Sequence, residues 1–192
     1  MNQFLVILLN SMLSENIVFI QCLALCPFID MTNSKERTWG AGLSSSIVIL
    51  LTLLVAWPLN HFVLLPLKLE FLQILAFVML VAFFVFAVES FFRKSFSSLY
   101  EKMHSGFSFI LANVAVLGIT LNCIAKEYGY AESIVYAIGS SLGLILSLFI
   151  MNSVQERIRS SEVPIAFKGK PILFISASII SLVFLGFKGL VK

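Results

Sequence analysis

Charge is the property that this sequence has least of. Only 12% of its 192 residues are Asp, Glu, Lys or Arg, whereas a soluble domain carries about 25%. Hydrophobic residues make up 59% of the chain, and the mean hydropathy is +1.01. This composition excludes a soluble globular protein and predicts an integral membrane protein.

Cysteine is scarce as well, with Cys22, Cys26 and Cys123 as the only three in the sequence. An odd number in largely apolar surroundings argues against a secreted disulfide scaffold. The opening "MNQFLVILLN" lacks the basic start and the small-residue cleavage site of a signal peptide. We therefore expect the first apolar segment to be retained as a membrane span.

Recognised catalytic motifs are also missing. The sequence contains no Walker loop, dinucleotide fingerprint, catalytic-serine elbow or metal-binding motif of the soluble kind. We therefore predict no catalytic residue in this chain. We also predict no binding to nucleic acid, because the basic residues lie in short loops between apolar segments.

Six segments have about the 20 apolar residues that a membrane-spanning helix requires. They cover residues 4–28, 43–59, 69–92, 107–125, 133–154 and 171–190. The sequence thus predicts an all-α fold, organised as a single six-helix membrane domain over residues 1–192.

The basic residues are divided unequally between the two sides of such a bundle. Nine of the 13 lie in the loops after the first, third and fifth spans, and four lie on the other side. Short cytoplasmic loops carry the excess of Lys and Arg in membrane proteins. Both termini are therefore predicted to lie on the outer, periplasmic side of the membrane.

Polar residues interrupt the first and fourth spans more than the others. In a six-span protein these two spans run in opposite directions and begin the two halves, residues 1–100 and 101–192. Broken helices at corresponding positions of two halves are typical of inverted repeats, which build a site near the middle of the membrane. We therefore predict an inverted 3+3 repeat with broken first and fourth helices.

Glu15 and Asn16 lie within the first span, and Asn113 precedes an apolar stretch of the fourth in a similar way. An ionisable residue inside the membrane is costly and by default indicates an ion or proton path. Glu15, Asn16 and Asn113 are therefore candidate ion-path residues. A small inverted-repeat solute transporter is one class of protein that fits this pattern.

The stretch "QCLALCPFID" places Cys22 and Cys26 four residues apart and follows the second with Pro27. On a helix the two thiols would share one face, and proline, which lacks an amide hydrogen, favours a break at Cys26. Thiolates at such a break can bind a metal, but cysteine is also a common small filler in membrane helices. Both interpretations remain open, and three cysteines alone cannot supply a four-thiolate cluster.

Several stretches of the sequence resemble the RnfA/NqrE family, the small six-helix membrane subunits of the Rnf and Nqr complexes. They are "LALCPFI" near the end of the first span, "NVAVLGI" in the fourth, "QERIRSSEVPIAFKGKPI" before the sixth and "SLVFLGFKGLVK" at the C-terminus. The resemblance runs essentially from end to end, and it is closer to the Rnf members than to the Nqr members.

This resemblance implies a membrane subunit of a complex in the bacterial inner membrane. Such complexes couple electron transfer among ferredoxin, NAD and, for Nqr, quinone to sodium or proton movement. Members similar to RnfA pair with a paralogous RnfE-like subunit of opposite topology and work beside the other Rnf subunits. A 2Fe–2S cluster lies between the two paralogues and is held by two cysteines from each.

The resemblance assigns one cluster ligand to Cys26 and leaves the second position without a cysteine. The family motif "NCAVLG" reads "NVAVLG" here, with Val114 in the cysteine position. Cys123 lies nine residues later, about 13 Å along a helix, whereas Cys22 is one turn from Cys26. The expectations therefore range from a cluster with altered ligation to a structural scaffold subunit that has lost the cluster.

Overall fold

The computed structural model describes residues 3–23, 25, 28–29, 32, 34–66, 70–95 and 108–187, apart from the side chains of residues 70, 95, 108–113 and 166. All regular structure in these residues is helical. The α-helices are α1 (Gln3–Leu9), α2 (Lys35–Leu59), α3 (Gln73–Ser95), α4 (Ser108–Ala125), α5 (Tyr130–Arg159) and α6 (Lys170–Gly186). Short π-helices (Asn10–Ser14, Asn60–Leu64) and 3₁₀ turns (Glu70–Leu72, Ile165–Phe167) accompany them. The predicted all-α fold is confirmed.

Three helical stretches are long and apolar enough to cross a membrane: Lys35–Leu64, Gln73–Lys94 and Tyr130–Arg159. Two other described apolar stretches are shorter, Gln3–Ser14 and Lys170–Gly186, and the side chains of α4 are described over Val114–Ala125, which is also apolar. Each stretch falls within or overlaps one of the six predicted spans. Six full spans arranged as an inverted repeat remain a prediction.

Helix α2 begins with a side-chain cap and is followed directly by a π-helical turn. The Ser34 hydroxyl accepts a hydrogen bond from the Arg37 backbone N–H (3.4 Å), and Glu36 lies in the first turn, where the helix dipole favours a carboxylate. Pro58 lies within the last turn. The chain then continues as the π-helix Asn60–Leu64.

Helices α2 and α5 run antiparallel at the centre of the bundle. At one end, the Lys35 ammonium lies 3.3 Å from the Glu156 carboxylate. At the other end, the Trp57 indole N–H donates to the Tyr128 carbonyl (2.8 Å). Between them, a Cβ on Gly42 would lie 3.3 Å from Ile145. Because α2 belongs to the first half of the chain and α5 to the second, this antiparallel pairing sets how the two halves are oriented.

The fourth helix is continuous from Ser108 to Ala125, so the break predicted in it is not found in this range. Its polar residues do not interrupt the backbone. The Thr120 hydroxyl donates to the Val116 carbonyl one turn earlier (2.8 Å), which satisfies the side chain within the helix. Gly118 is tolerated because its missing side chain leaves room for Ile17 and Leu23.

Candidate functional site at the break in the first helix

The first helix breaks at Glu15, and the break that the sequence predicts at Cys26–Pro27 remains a prediction. The π-helix closes with the Glu15 N–H donating to the Asn10 carbonyl (2.8 Å). Residues 15–23 then form turns rather than regular helix. Cys22 has a φ of 54°, so it does not lie on a helical face shared with Cys26. Cys26 and Pro27 are outside the described residues.

Asn16 is the residue around which the break is built. Its side chain is 1% exposed. The amide oxygen accepts from the backbone N–H groups of Val18 (3.1 Å) and Phe19 (3.2 Å) and lies 3.0 Å from the Ser147 hydroxyl. The amide nitrogen donates to the Gly143 carbonyl (3.0 Å) and the Met12 carbonyl (3.3 Å). Backbone groups freed by a broken helix need partners inside a membrane, and Asn16 supplies them.

Glycines on α5 allow the first segment to approach closely. A Cβ on Gly139 would lie 1.9 Å from the Ser11 hydroxyl oxygen, and a Cβ on Gly143 would lie 2.8 Å from the Met12 carbonyl oxygen. Real side chains cannot occupy these positions without moving the backbone. The two segments therefore pack backbone against backbone, as small residues permit in membrane helices.

We expect Gly143→Ala to lower the free energy of unfolding by about 1–3 kcal/mol, the usual cost of forcing a methyl group into a filled contact. The matched control is Gly186→Ala, because a Cβ on Gly186 would meet nothing within 4 Å. Heating the two purified variants in detergent and measuring the monodisperse fraction checks the prediction. Equal loss in both variants would contradict the close approach.

Glu15 forms an ion pair with Lys126, which follows the last residue of α4. Both carboxylate oxygens contact the lysine ammonium, and each side chain is 32% exposed. The ammonium also lies 5.6 Å from the Tyr128 ring centroid and 5.5 Å from the Tyr136 ring centroid. Aromatic faces attract a cation at this range. The carboxylate therefore shares its lysine with two rings.

A second polar contact joins the irregular segment to α4. The Asn122 side-chain amide donates to the Gln21 side-chain oxygen (2.9 Å). One turn further from Lys126, a Cβ on Gly118 would lie 2.5 Å from Leu23. Residues 118, 122 and 126 are spaced four apart and share one helical face. This face of α4 thus holds residues 15–23, and it carries a charge pair and an amide pair next to the break.

Comparison with protein families gives one match that covers nearly the whole chain. Residues 4–191 match the family described as Rnf-Nqr subunit, membrane protein. The chain belongs to this family. The resemblance inferred from the sequence is therefore confirmed.

The relatives of this Rnf-Nqr protein include chains named as the A-type member of an ion-translocating oxidoreductase complex. The protein of Buchnera aphidicola subsp. Schizaphis graminum is 36% identical to this chain, and that of Pseudoalteromonas atlantica is 35% identical. Each alignment spans 192 residues, which is 100% of this chain and 100% of the relative. That of Aromatoleum aromaticum is 37% identical over 191 residues, which is 100% of this chain and 99% of the relative. The similarity therefore extends over the full length of both partners.

The structure brings two of the three candidate ion-path residues to the break. Glu15 and Asn16 are adjacent and point to different partners, Lys126 and α5. Asn113 lies in α4, but its side chain is outside the described residues, so its part in the site stays a prediction.

Sequence reasoning missed Lys126, which it counted as an ordinary loop charge. The available signal was the unexplained carboxylate of Glu15 inside an apolar span. A charge in such a position needs a partner of opposite sign, and Lys126 stands directly after the fourth apolar segment. To find this partner from the sequence, one would have had to consider basic residues in the second half of the chain as partners for Glu15 in the first half.

The described cysteines do not complete the ligand set that the family implies. Val114 is 42% exposed on α4 and has no atom that can bind iron. Cys22 is exposed, and Cys123 is buried. Among the described residues, no group of three or more His, Cys, Asp or Glu side chains could hold a metal ion. The family position in the fourth span therefore supplies no thiolate, and Cys26 itself lies outside the described residues.

Proposed function

We propose that this chain is the RnfA-type membrane subunit of an Rnf ion-translocating oxidoreductase complex. The observation that carries the proposal is the end-to-end match, at 35–37% identity, to proteins named as the A-type member of such a complex. The chain has no self-contained catalytic motif, so its role is that of a membrane subunit beside unlike partners. The expected partners are a paralogous RnfE-like subunit of opposite topology and the other subunits of the complex.

The contribution of this chain to ion movement is placed at the ion pair of Glu15 and Lys126. A cation that crosses a low-dielectric region needs a compensating carboxylate. When a cation binds Glu15, the ammonium of Lys126 must leave it, and the faces of Tyr128 and Tyr136 offer the lysine another position. The pair thus keeps the carboxylate neutralised when no ion is present.

We further propose that the protein lies in the bacterial inner membrane with both termini on the periplasmic side. The basic residues supply the charge bias, and the pair of Lys35 and Glu156 agrees with it, since it puts the first loop and the end of α5 at one end of the bundle. A phosphatase fused after Lys192 should be active in cells. An inactive phosphatase together with a fluorescent cytoplasmic reporter at the same site would reverse the orientation.

Co-purification tests the proposed function. The chain, tagged at its C-terminus and extracted in mild detergent from its native membrane, should bring unlike subunits with it, including a paralogous RnfE-like one. A complex with the subunits of Nqr would identify the chain as the NqrE component of that enzyme. A monomer or homodimer that transports a solute would favour the small inverted-repeat transporter and overturn the proposal.

The remaining proposal concerns Cys26, the residue that the family motif assigns to a 2Fe–2S cluster shared with a partner subunit. Because Val114 supplies no second ligand, no electron-transfer step is assigned to this chain. If Cys26 is a ligand, Cys26→Ser in the reduced, purified complex should remove a two-iron signal from the low-temperature EPR spectrum, with Cys123→Ser as control. Identical spectra in all samples would instead support a scaffold subunit that has lost the cluster.

A further inference from the structure

Two tyrosine rings stand beside the ammonium of Lys126, one from the loop after α4 and one from the start of α5. The ammonium lies 5.6 Å from the ring centroid of Tyr128 and 5.5 Å from that of Tyr136. The two centroids are themselves 5.6 Å apart. The ammonium is therefore equally close to both rings, and both lie within the range of about 6 Å over which an aromatic face attracts a cation.

The two rings are held in place without the help of the lysine. Tyr136 is only 2% exposed and belongs to the core of the bundle. Tyr128 is half-buried, and its backbone carbonyl accepts a hydrogen bond from the Trp57 indole N–H (2.8 Å). The pair of rings is therefore a preformed site for a cation, whichever group occupies it.

The side chain of Lys126, by contrast, is free to change partners. Its backbone N–H donates to the Asn122 carbonyl (3.2 Å), which fixes the main chain at this point. The side chain beyond it is a flexible four-carbon stem and is 32% exposed. The ammonium can thus lie on the carboxylate of Glu15, as it does in the structure, or rest on the two rings.

These two positions of the lysine determine how well another cation binds Glu15. Both carboxylate oxygens of Glu15 contact the ammonium, so a cation can bind there only after the lysine has left. The apparent affinity of a site is reduced by the fraction of molecules in which it is available. Any contact that stabilises the displaced lysine raises this fraction and with it the affinity for the cation.

We infer that the rings of Tyr128 and Tyr136 set the cation affinity of Glu15 by stabilising Lys126 in its displaced position. Lys126 is then a tethered competitor of the transported cation, and the rings determine how strongly it competes. The two tyrosines are positioning residues, because they act on the cation through the lysine. This inference rests on the proposed role of Glu15 and Lys126 in ion movement and adds the groups that regulate it.

The test is the cation concentration that gives half-maximal ion uptake by the complex that contains this chain, sealed in vesicles during electron transfer. Sodium concentration and pH are varied in separate titrations, and uptake is expressed per electron. We expect Tyr136→Leu to raise the half-saturating concentration of the transported cation about fivefold, the effect of one lost cation–π contact. Tyr136→Phe keeps the ring and should match the parent. Tyr130→Leu is the matched control, because the Tyr130 ring packs on Trp57 (5.2 Å).

Tyr128→Leu provides a second variant, since replacing a buried residue such as Tyr136 also lowers the stability of the fold. Tyr128 lies in the loop before α5 and is half-buried, and its contact with Trp57 uses the backbone carbonyl, which the substitution keeps. We expect the same increase of about fivefold. Parent values in both leucine variants would overturn the role of the rings.

Repeating the measurement in Lys126→Gln separates positioning from a structural role. Without the lysine, the half-saturating concentration should fall about tenfold or more, because a minor state makes up at most about a tenth of the molecules. Adding Tyr136→Leu should then change nothing further. The same increase with and without Lys126, or an equal increase in Tyr136→Phe and Tyr136→Leu, would overturn the inference.

A failure of the inference can be told from a failure of the proposed function. If Glu15→Gln/Lys126→Gln loses ion uptake while the leucine variants keep the parent value, only the role of the rings is wrong. If that double variant keeps the uptake per electron of the parent, the proposed ion path is wrong and the inference is overturned with it.

Discussion

Replacing Asn16 by leucine is expected to have the largest effect of any single change in this protein. The variant keeps a side chain of similar size but leaves the backbone N–H groups of Val18 and Phe19 without their acceptor. Each such buried group costs about 1–3 kcal/mol. We therefore expect the free energy of unfolding to fall by about 2–6 kcal/mol, which is comparable to the stability of many whole domains.

The measurement is the temperature at which half of the purified protein remains monodisperse, together with its yield in the membrane. Asn122→Leu is the control, because that asparagine is only partly buried and makes one side-chain contact, to Gln21. It should cost about 1 kcal/mol. If Asn16→Leu is no more harmful than Asn122→Leu, the amide does not hold the break.

The second large effect is expected from separating the charges of Glu15 and Lys126. Lys126→Gln or Glu15→Gln leaves one charge in an apolar region without the partner that it has in the structure. Breaking a fully buried pair costs about 3–5 kcal/mol. Because each side chain is 32% exposed, we expect about 1–3 kcal/mol for either single variant.

A double-mutant cycle distinguishes the pair from two independent polar contacts. The variant with both substitutions carries no charge at the site, so its stability should return to within about 1 kcal/mol of the parent. The same heating measurement gives all four values. A double variant as unstable as the sum of the two single variants would show that Glu15 and Lys126 do not act on each other.

The sequence predicted the helices well because an apolar run consists of consecutive residues and can be recognised without knowledge of the fold. The long apolar segments recur as α2, α3 and α5: the bounds of α3 and α5 lie within five residues of the predicted ones, whereas α2 begins eight residues earlier than predicted. The differences lie at the ends, where polar residues such as Lys35 and Tyr130 extend the helices beyond the apolar run. Hydropathy does not predict such extensions, because they depend on helix caps and on charged residues in the first and last turns.

The position of the break was not predictable from local signals. Pro27 is a strong local signal for a helix break but lies outside the described residues, and no signal of this kind marks the break found at Glu15. The partners that make this possible, Gly143 and Ser147, lie more than 120 residues away in the sequence. Long-range hydrogen bonds of this kind depend on the packed fold and leave no periodic trace in the first segment.

In the fourth span, by contrast, the sequence predicted a helix break that is not found in α4. Its asparagines and glycine suggested a broken helix, yet α4 stays regular and uses the same residues to hold its neighbour. Gly118 gives space to Leu23, and Asn122 binds Gln21. The polar residues of the two spans thus contact each other, although only the first helix breaks its backbone.

Coupling between electron transfer and ion uptake is the measurement that tests the account most directly. The complex that contains this chain is reconstituted in sealed vesicles, and both rates are recorded with reduced ferredoxin as donor and NAD as acceptor. With Glu15→Gln/Lys126→Gln, for which we expect a stability close to that of the parent, we predict that electron transfer continues while ion uptake falls about tenfold, the effect of a barrier raised by about 1.4 kcal/mol. Unchanged ion uptake per electron in this variant would contradict the assignment of the ion path to the break in the first helix.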